Sequence, residues 1–261
     1  MDYTTLLFDV SHGLATITLN RPDDANALNL TMSRELMTAA IDCDENPEIR
    51  AVMLTGTGKM FSAGGDIKAF MAAESMPHLL KEMTLHLHGA ISRFSRMDAP
   101  LVVAVNGTAA GGGFSLAMAG DLVISAESAK FVSAYTRSAL SPDGSSTYFL
   151  PRAIGLRRAA ELMLTNRVLS AQEALDWQLI TRVVPDEDLV TEATTLGREL
   201  ASGPTLAYGR VKRMLLTTFG ESLETQMETE ARNITDMARS SDTAEGIAAF
   251  VEKRPPNYSG Q

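Results

Sequence analysis

Residues 101–113 read LVVAVNGTAAGGG, an apolar run that passes through a turn into three consecutive glycines. A second glycine turn lies upstream, where residues 61–66 read FSAGGD. Because glycine has no side chain, the main chain of each turn can come close to a ligand atom. Two backbone N–H groups directed at one carbonyl oxygen form an oxyanion hole, which usually supplies the largest single catalytic contribution in acyl chemistry. The two turns together predict such a hole.

The sequence on either side of these turns predicts alternating strands and helices. Residues 114–118 have a helical pattern, so the free N–H groups of the preceding glycines lie at the positive end of a helix dipole. The predicted strands are residues 14–19, 51–55, 101–105 and 122–125, and helical spacing occurs in residues 32–43 and 71–96. This alternation indicates a layered α/β core in which helices cover a sheet.

The C-terminal part of the chain is predicted to be almost entirely helical. The helical segments are residues 189–201, 205–216 and 221–239, and residues 170–173 and 242–245 have the spacing of capping boxes. These helices are too few to enclose a large core of their own. We therefore divide the chain into a core of residues 1–195 and a helical C-terminal region of residues 196–261, which packs on the core or on a neighbouring subunit.

Composition and charge exclude several classes of function. The chain has 261 residues, of which 45% are hydrophobic and 21% charged, as in ordinary soluble globular proteins. Its formal net charge of −9 and the lack of a dense Lys/Arg cluster disfavour nucleic-acid binding. No apolar run reaches the roughly eighteen residues that a membrane span needs. A single cysteine cannot form an internal disulfide, so we expect the cytoplasm or another reducing compartment, and no cationic leader precedes an apolar run at the N-terminus.

Cysteine and histidine usage gives no sign of a metal site. The single cysteine, Cys43, lies in a helical pattern and is predicted to be a small core residue. The four histidines are not grouped with cysteine, so we expect no bound metal. Residues 56–59, GTGK, lack the remaining positions of a phosphate-binding loop, and no GxGxxG motif follows a strand. ATP and NAD are therefore not expected as cofactors.

Several motifs in order along the chain resemble the crotonase, or enoyl-CoA hydratase/isomerase, superfamily, most nearly its isomerase and 4-chlorobenzoyl-CoA dehalogenase branches. These motifs are NRP at 20–22, NAL at 26–28, FSAGGDIK at 61–68, NGTAAGGG at 106–113 and EGIAAF at 245–250. The resemblance implies a spiral of strand-strand-helix repeats and a C-terminal helical region that builds homotrimers or dimers of trimers. It also implies an acyl-CoA thioester substrate, bound by the core, whose CoA is part of the substrate and not a separate cofactor.

The family's binding residues carry over to this chain motif by motif. The resemblance places the oxyanion hole at the N–H groups of Gly65 and Gly112. It places CoA against the two segments that contain Asn26, Ala27, Leu28, Ala63, Gly65, Asp66, Ile67 and Lys68.

The chain departs from the hydratases of the family at both of their catalytic glutamates. Those positions hold Ser115 and Tyr135 here. Neither side chain is a carboxylate that could hold and activate water. The sequence therefore disfavours simple hydration of an enoyl-CoA.

Asp143, in the segment LSPDG at 140–144, is the acid that remains in the right region. In the isomerase branch, which includes the ring-epoxide isomerase of phenylacetyl-CoA breakdown, an aspartate here moves a proton. In the dehalogenase branch it attacks an aromatic ring, with a histidine and a tryptophan nearby. His88 falls at that histidine position, whereas Tyr135 replaces the tryptophan.

We expect an isomerase in which Asp143 is the base that acts on a thioester enolate. Three alternatives remain open from the sequence. Asp143 could be the nucleophile of an aryl-CoA dehalogenase, or only a turn residue, with His88 a surface histidine of a helix. The chain could also be a non-catalytic acyl-CoA-binding or RNA-binding member of the family, although its acidic charge argues against RNA.

Overall fold

Two β-sheets form the centre of the computed structural model, which describes residues 3–261. The strands are β1 (Leu6–Ser11), β2 (Leu14–Leu19), β3 (Ala51–Gly56), β4 (Met60–Ser62), β5 (Leu101–Val105), β6 (Thr108–Ala110), β7 (Leu122–Ala126), β8 (Lys130–Val132), β9 (Leu169–Ser170) and β10 (Arg182–Val184). The large sheet has the order β1-β2-β3-β5-β7-β10, and the small sheet has the order β4-β6-β8-β9. All neighbours in the large sheet are parallel except β1 and β2, and in the small sheet only β8 and β9 are antiparallel.

Ten α-helices surround the sheets in the described part of the chain. They are α1 (Leu30–Glu45), α2 (Ile67–Ala72), α3 (Met76–Arg96), α4 (Gly112–Met118), α5 (Ser146–Thr165), α6 (Ala171–Asp176), α7 (Leu189–Ala201), α8 (Thr205–Thr217), α9 (Leu223–Met237) and α10 (Ser241–Glu252). Short 3-10 helices occupy Pro22–Asp24, Tyr135–Ser138 and Asp186–Asp188. None of the helices within residues 3–261 combines the length and the apolar character needed to cross a membrane.

The chain winds as a spiral of strand-strand-helix repeats, which confirms the predicted fold. Strands β3, β5 and β7 each enter the large sheet, and the strand that follows each of them, β4, β6 or β8, enters the small sheet before a helix begins. Every residue of β5 is buried, as its uninterrupted apolar sequence predicts for a central parallel strand covered on both faces. Because β5 leads directly through β6 into α4, the second glycine turn lies at the carboxyl end of the sheet core.

The helix predicted over residues 71–96 is two helices in the structure. Helix α2 ends at Ala72 and α3 begins at Met76, with an extended backbone at Ala73 and Ser75. Pro77, in the first turn of α3, explains the break. Proline has no N–H, and its ring would collide with a preceding helical turn.

The predicted capping box at residues 170–173 is present, whereas the one predicted at residues 242–245 is absent. The Ser170 hydroxyl accepts a hydrogen bond from the Glu173 N–H at 3.2 Å, and the Glu173 carboxylate accepts one from the Ser170 N–H at 2.9 Å. Helix α10 is instead capped by Ser240, whose hydroxyl accepts from the Thr243 N–H at 3.1 Å. The Asp242 carboxylate, already inside α10, accepts backbone N–H groups of the C-terminal tail.

The predicted division between residues 195 and 196 falls inside α7, and this whole helix packs on the large sheet. Ala193 and Ala201 are buried there, and Gly197 leaves room for the Leu14 side chain. Helix α8 is attached to the core by Lys212, which is 7% exposed and donates hydrogen bonds to two backbone carbonyls.

Helices α8 to α10 are otherwise poorly covered within one chain. No residue of α9 is buried. Large apolar side chains along this region are exposed, among them Val211, Leu215, Phe219, Leu223, Met227, Ile234, Ile247, Phe250 and Val251. This surface agrees with the expectation that these helices do not enclose a core of their own.

Candidate active site

The two glycine turns meet, although they come from different repeats of the spiral. A Cβ atom placed on Gly64 would lie 2.8 Å from the Ala110 carbonyl oxygen and 3.2 Å from the Gly112 nitrogen. Gly64 also has φ +91°, a conformation that residues with side chains rarely adopt. Glycine at this position is therefore what allows the first turn to pack against the second.

The N–H groups of Gly65 and Gly112 are both available to a ligand. Within residues 3–261, neither group donates a hydrogen bond to a protein acceptor. Gly112 is the first residue of α4, where backbone N–H groups have no partner within the helix. Gly65 is held by neighbours: the Leu28 N–H donates to the Gly64 carbonyl at 2.7 Å, and the Asp66 N–H donates to the Leu28 carbonyl at 2.9 Å.

Both glycines line one cavity of about 370 Å³, a size typical of small-molecule sites. Its apolar wall comes largely from α2 and α3 and includes Ile67, Phe70, Leu80, Met83, Leu87 and Leu140. Among the described residues that line the cavity, Asp143 carries the only carboxylate. An apolar group bound here would therefore have two backbone donors and one acid beside it.

A chain of hydrogen bonds leads from α4 to this acid. The Tyr135 hydroxyl donates to Asp143 Oδ1 at 2.6 Å and lies 2.8 Å from Ser115 Oγ. Because the single phenolic proton goes to Asp143, Ser115 is the donor to Tyr135. Burial raises the pKa of Tyr135, and the charge of Asp143 raises it further, so the tyrosine stays protonated. The positions of the two hydratase glutamates thus hold a pair that orients Asp143.

His88 reaches Asp143 from α3. Its Nε2 atom lies 3.4 Å from Asp143 Oδ2 and accepts a hydrogen bond from the Gly144 N–H at 3.1 Å. The His88 side chain is 48% exposed and does not line the acyl cavity. His88 is thus a half-exposed residue of α3 that also contacts the acid, and its catalytic role stays a prediction.

The two segments expected to hold CoA lie side by side, joined at Leu28 and Gly65. The Asn26 side chain is buried and donates to the carbonyls of Thr57 and Met60, both at 2.8 Å. Asp66 caps α2 by accepting the Ala69 N–H at 3.1 Å, and it forms an ion pair with Arg21. These two side chains make contacts within the protein that hold the segments in place.

The other members of the predicted CoA set differ in exposure. Ala63 and Ile67 are exposed and line the cavity together with the buried Leu28. Ala27 is buried, and its carbonyl accepts a hydrogen bond from Arg21. The Lys68 ammonium lies on the surface, 3.2 Å from an Asp24 carboxylate oxygen.

Sequence analysis missed much of the cavity wall on α3. The helical spacing over residues 71–96 predicted a helix without a binding role, yet Leu80, Met83, Thr84 and Leu87 line the cavity. The helical spacing of 80, 83, 84 and 87 was a signal that could have found this face. No group of three histidine, cysteine or acidic side chains within residues 3–261 could hold a metal ion.

Comparison with known proteins gives matches over the whole chain. The sequence matches the family described as Enoyl-CoA hydratase/isomerase over residues 9–261. It is 39% identical to a probable enoyl-CoA hydratase of Rhodobacter capsulatus, with 100% of both chains covered. It is 37% identical to the 1,2-epoxyphenylacetyl-CoA isomerase of Escherichia coli, with 98% of each chain covered.

One further relative and one solved structure are also similar to this chain. The chain is 34% identical to 4-chlorobenzoyl coenzyme A dehalogenase-2 of an Arthrobacter species, covering 92% of this chain and 88% of that one. The crystal structure of a putative enoyl-CoA hydratase/isomerase from Mycobacterium abscessus superimposes with a TM-score of 0.93 at 31% identity, covering 98% of this chain and 100% of that one. The names of these relatives span three reactions, so the choice among them depends on the site residues of this chain.

Proposed function

The chain belongs to the enoyl-CoA hydratase/isomerase family, and from that premise we propose that it is an acyl-CoA isomerase that moves a carbon–carbon double bond. Members of the family act on CoA thioesters. One observation carries the proposal: among the described residues that line the cavity, only Asp143 carries a carboxylate. The resemblance to the family further implies that Ser115 and Tyr135 stand in place of the two hydratase glutamates. The cavity thus has one general base and no second acid to hold a water molecule.

In the proposed mechanism the thioester oxygen accepts hydrogen bonds from the N–H groups of Gly65 and Gly112. These bonds strengthen as the carbonyl gains negative charge, so they stabilise the enolate more than the substrate. Asp143 takes the α- or γ-proton, and the electrons of the broken C–H bond move into the enolate. Return of the proton to a different carbon shifts the double bond. No metal or redox cofactor takes part.

Hydration is disfavoured by what surrounds Asp143. In addition of water, one group must position the water and another must exchange its proton. Here the Ser115 and Tyr135 hydroxyls bond to each other at 2.8 Å, and Tyr135 bonds to Asp143 at 2.6 Å. The two hydroxyl groups are therefore already hydrogen-bonded in the chain that holds Asp143, the proposed base.

A dehalogenase reaction is the second candidate, and the contact between His88 and Asp143 favours it. Asp143 would add to the ring carbon of a haloaryl-CoA, and halide would leave the Meisenheimer-type adduct to give an aryl ester. Water activated by His88 would then cleave the ester. The hydrogen bond from Tyr135 draws electron density from the carboxylate, which suits a base that must release its proton again better than a nucleophile.

The test is a panel of acyl-CoA thioesters offered to the purified protein. We expect double-bond migration in a 3-enoyl-CoA, followed by ultraviolet absorbance and NMR, with no net water addition and no halide release. Halide release from 4-chlorobenzoyl-CoA without any isomerisation would replace the proposal with the second candidate. Binding of acyl-CoA without turnover, or a gel shift with single-stranded RNA, would support a non-catalytic role.

Tyr135→Phe tests whether the hydroxyl holds Asp143. Removing a hydrogen bond to a charged group costs about 1.5 kcal/mol, so we expect kcat to fall about tenfold. KM should change little, because the CoA segments are unaltered. Ser115→Ala should have a smaller effect, and adding it to Tyr135→Phe should cost nothing further, because Ser115 acts through Tyr135. Wild-type kcat in Tyr135→Phe would refute this role.

Helices α8 to α10 are proposed to pack between subunits as a homotrimer or a dimer of trimers, whereas α7, the first helix after Asp186, packs on the large sheet of its own chain. The exposed apolar side chains of α8 to α10, such as Phe219, Leu223 and Phe250, support this assembly. Sedimentation velocity at micromolar concentration should show a species of three or six chains. A stable monomer under those conditions would exclude the assembly. A cytoplasmic location stays a prediction, which fractionation of the source cells would test.

A further inference from the structure

We propose that His88 is a proton relay, which connects the back of the acyl cavity with a second cleft on the outside of the protein. The inference rests on the proposed function, because it takes Asp143 as the base of an isomerase. It adds a route by which the abstracted proton exchanges with solvent while substrate fills the cavity.

Two separate spaces meet at the contact between Asp143 and His88. Asp143 lines the acyl cavity and His88 does not. His88 lines a second cleft of about 370 Å³ with Ser92, Arg96, Ser145 and Tyr148, and Asp143 does not line it. The two spaces have no lining residue in common. The pair, with 3.4 Å between Asp143 Oδ2 and His88 Nε2, therefore bridges them.

The two oxygens of the Asp143 side chain face different partners. Oδ1 accepts the Tyr135 hydroxyl at 2.6 Å. Oδ2 is the oxygen that faces His88. An acyl group in the cavity would keep bulk water away from the carboxylate on that side. Oδ2 would still have the imidazole beside it.

The hydrogen bond from Gly144 selects the form of the imidazole that can accept a proton. Because the Gly144 N–H donates to Nε2 at 3.1 Å, Nε2 carries no proton in this arrangement, and the proton of the neutral ring is on Nδ1. Nε2 also lies 3.4 Å from Asp143 Oδ2, so its single lone pair can accept the proton of the acid by exchanging the Gly144 N–H for the Asp143 O–H. Once Nε2 holds a proton it no longer accepts the Gly144 N–H, and the return of that proton to Asp143 frees the lone pair again.

The proton transfers balance as follows. Asp143 takes a proton from the substrate carbon, and the electrons of that C–H bond remain in the enolate. The Asp143 O–H bond then breaks as an N–H bond forms at Nε2, which gives an imidazolium and a carboxylate. The imidazolium releases its Nδ1 proton to water in the second cleft. In the reverse direction Nδ1 takes a proton from water, and Nε2 returns its own proton to Asp143.

The test measures solvent deuterium in the product, using a 3-enoyl-CoA substrate in deuterated water. We expect the wild-type product to contain deuterium at the carbon that receives the proton. In His88→Gln, whose amide can still accept the Gly144 N–H but cannot relay a proton, incorporation per turnover should fall at least about tenfold. His86→Gln, a histidine of the same helix that lines neither space, should incorporate deuterium as the wild type does.

The outcomes separate the relay from the proposed function. Equal incorporation in wild type and His88→Gln, or a wild-type product without deuterium, would overturn the relay and leave the isomerase intact. No isomerisation by the wild type would overturn the proposed function. In that case, exchange of the α-protons of a saturated acyl-CoA tests the relay, because enolate formation alone drives that exchange. An unchanged exchange rate in His88→Gln would then refute it.

Discussion

Asp143→Asn is expected to reduce isomerase turnover by about a hundred- to ten-thousandfold, the usual cost of losing a general base. The asparagine keeps the size of the side chain and an oxygen that can accept the Tyr135 hydroxyl, which donates to Asp143 at 2.6 Å. It cannot take a proton from carbon. Binding of acyl-CoA should survive, because the two segments proposed to hold CoA, which pair at Leu28 and Gly65, do not include Asp143.

The same variant separates the two candidate reactions. For an isomerase, wild-type protein should move the double bond of a 3-enoyl-CoA, and Asp143→Asn should not. Where the proton exchanges with solvent during that reaction, the wild-type product should also carry deuterium from deuterated water. For a dehalogenase, quenched wild-type protein should gain the mass of an aryl ester at Asp143. Asp188→Asn, at an exposed aspartate without a role in the site, is the matched control. Full activity of Asp143→Asn on the substrate would show that Asp143 is only a turn residue without a catalytic role.

Gly112→Pro is expected to lower turnover at least about a hundredfold, because one donor of an oxyanion hole contributes about 3 kcal/mol. Proline removes the N–H that would bind the thioester oxygen. Gly112 is the first residue of α4, a position where proline is well tolerated. The helix should therefore still form, which circular dichroism and a thermal melt would check.

Gly112→Ala is the control that isolates the N–H group. A Cβ atom at this position lies 2.9 Å from Leu28 Cδ1 in both variants, so both must displace that flexible side chain. Alanine keeps the N–H, and its turnover should exceed that of Gly112→Pro by about the hundredfold factor. Equal turnover in two folded variants would remove the Gly112 N–H from the mechanism.

Much of the fold could be predicted because its signals are local. The run at 101–105 is apolar at every position, which is what a strand buried on both faces requires, and it forms β5 with those bounds. The glycine turns at 61–66 and 106–113 predicted close backbone contact, and Gly64 and Gly112 show it. The helix break after Ala72 was missed because apolar spacing continued through a segment that Pro77 interrupts.

The sequence by itself determined which chemical groups are available. It determined that Ser115, Tyr135 and Asp143 are the residues present at these positions, and the resemblance to the family implies that the first two replace the glutamates of hydratases. Sequence motifs such as those at 106–113 and 140–144 can be recognised without a structure. Each consists of residue types at short, fixed spacing within one segment.

Only the tertiary structure decided how those groups are connected. Ser115 and Tyr135 are 20 positions apart, and the His88 ring meets the Gly144 N–H across 56 positions, so no periodicity relates them. Their contacts arise because α3 and α4 pack around the loop that carries Asp143. Packing also decided that His88 faces a second cleft and that the Asn26 side chain is buried in its own turn. Side-chain direction across distant segments depends on the close packing of the whole core, which local spacing does not encode.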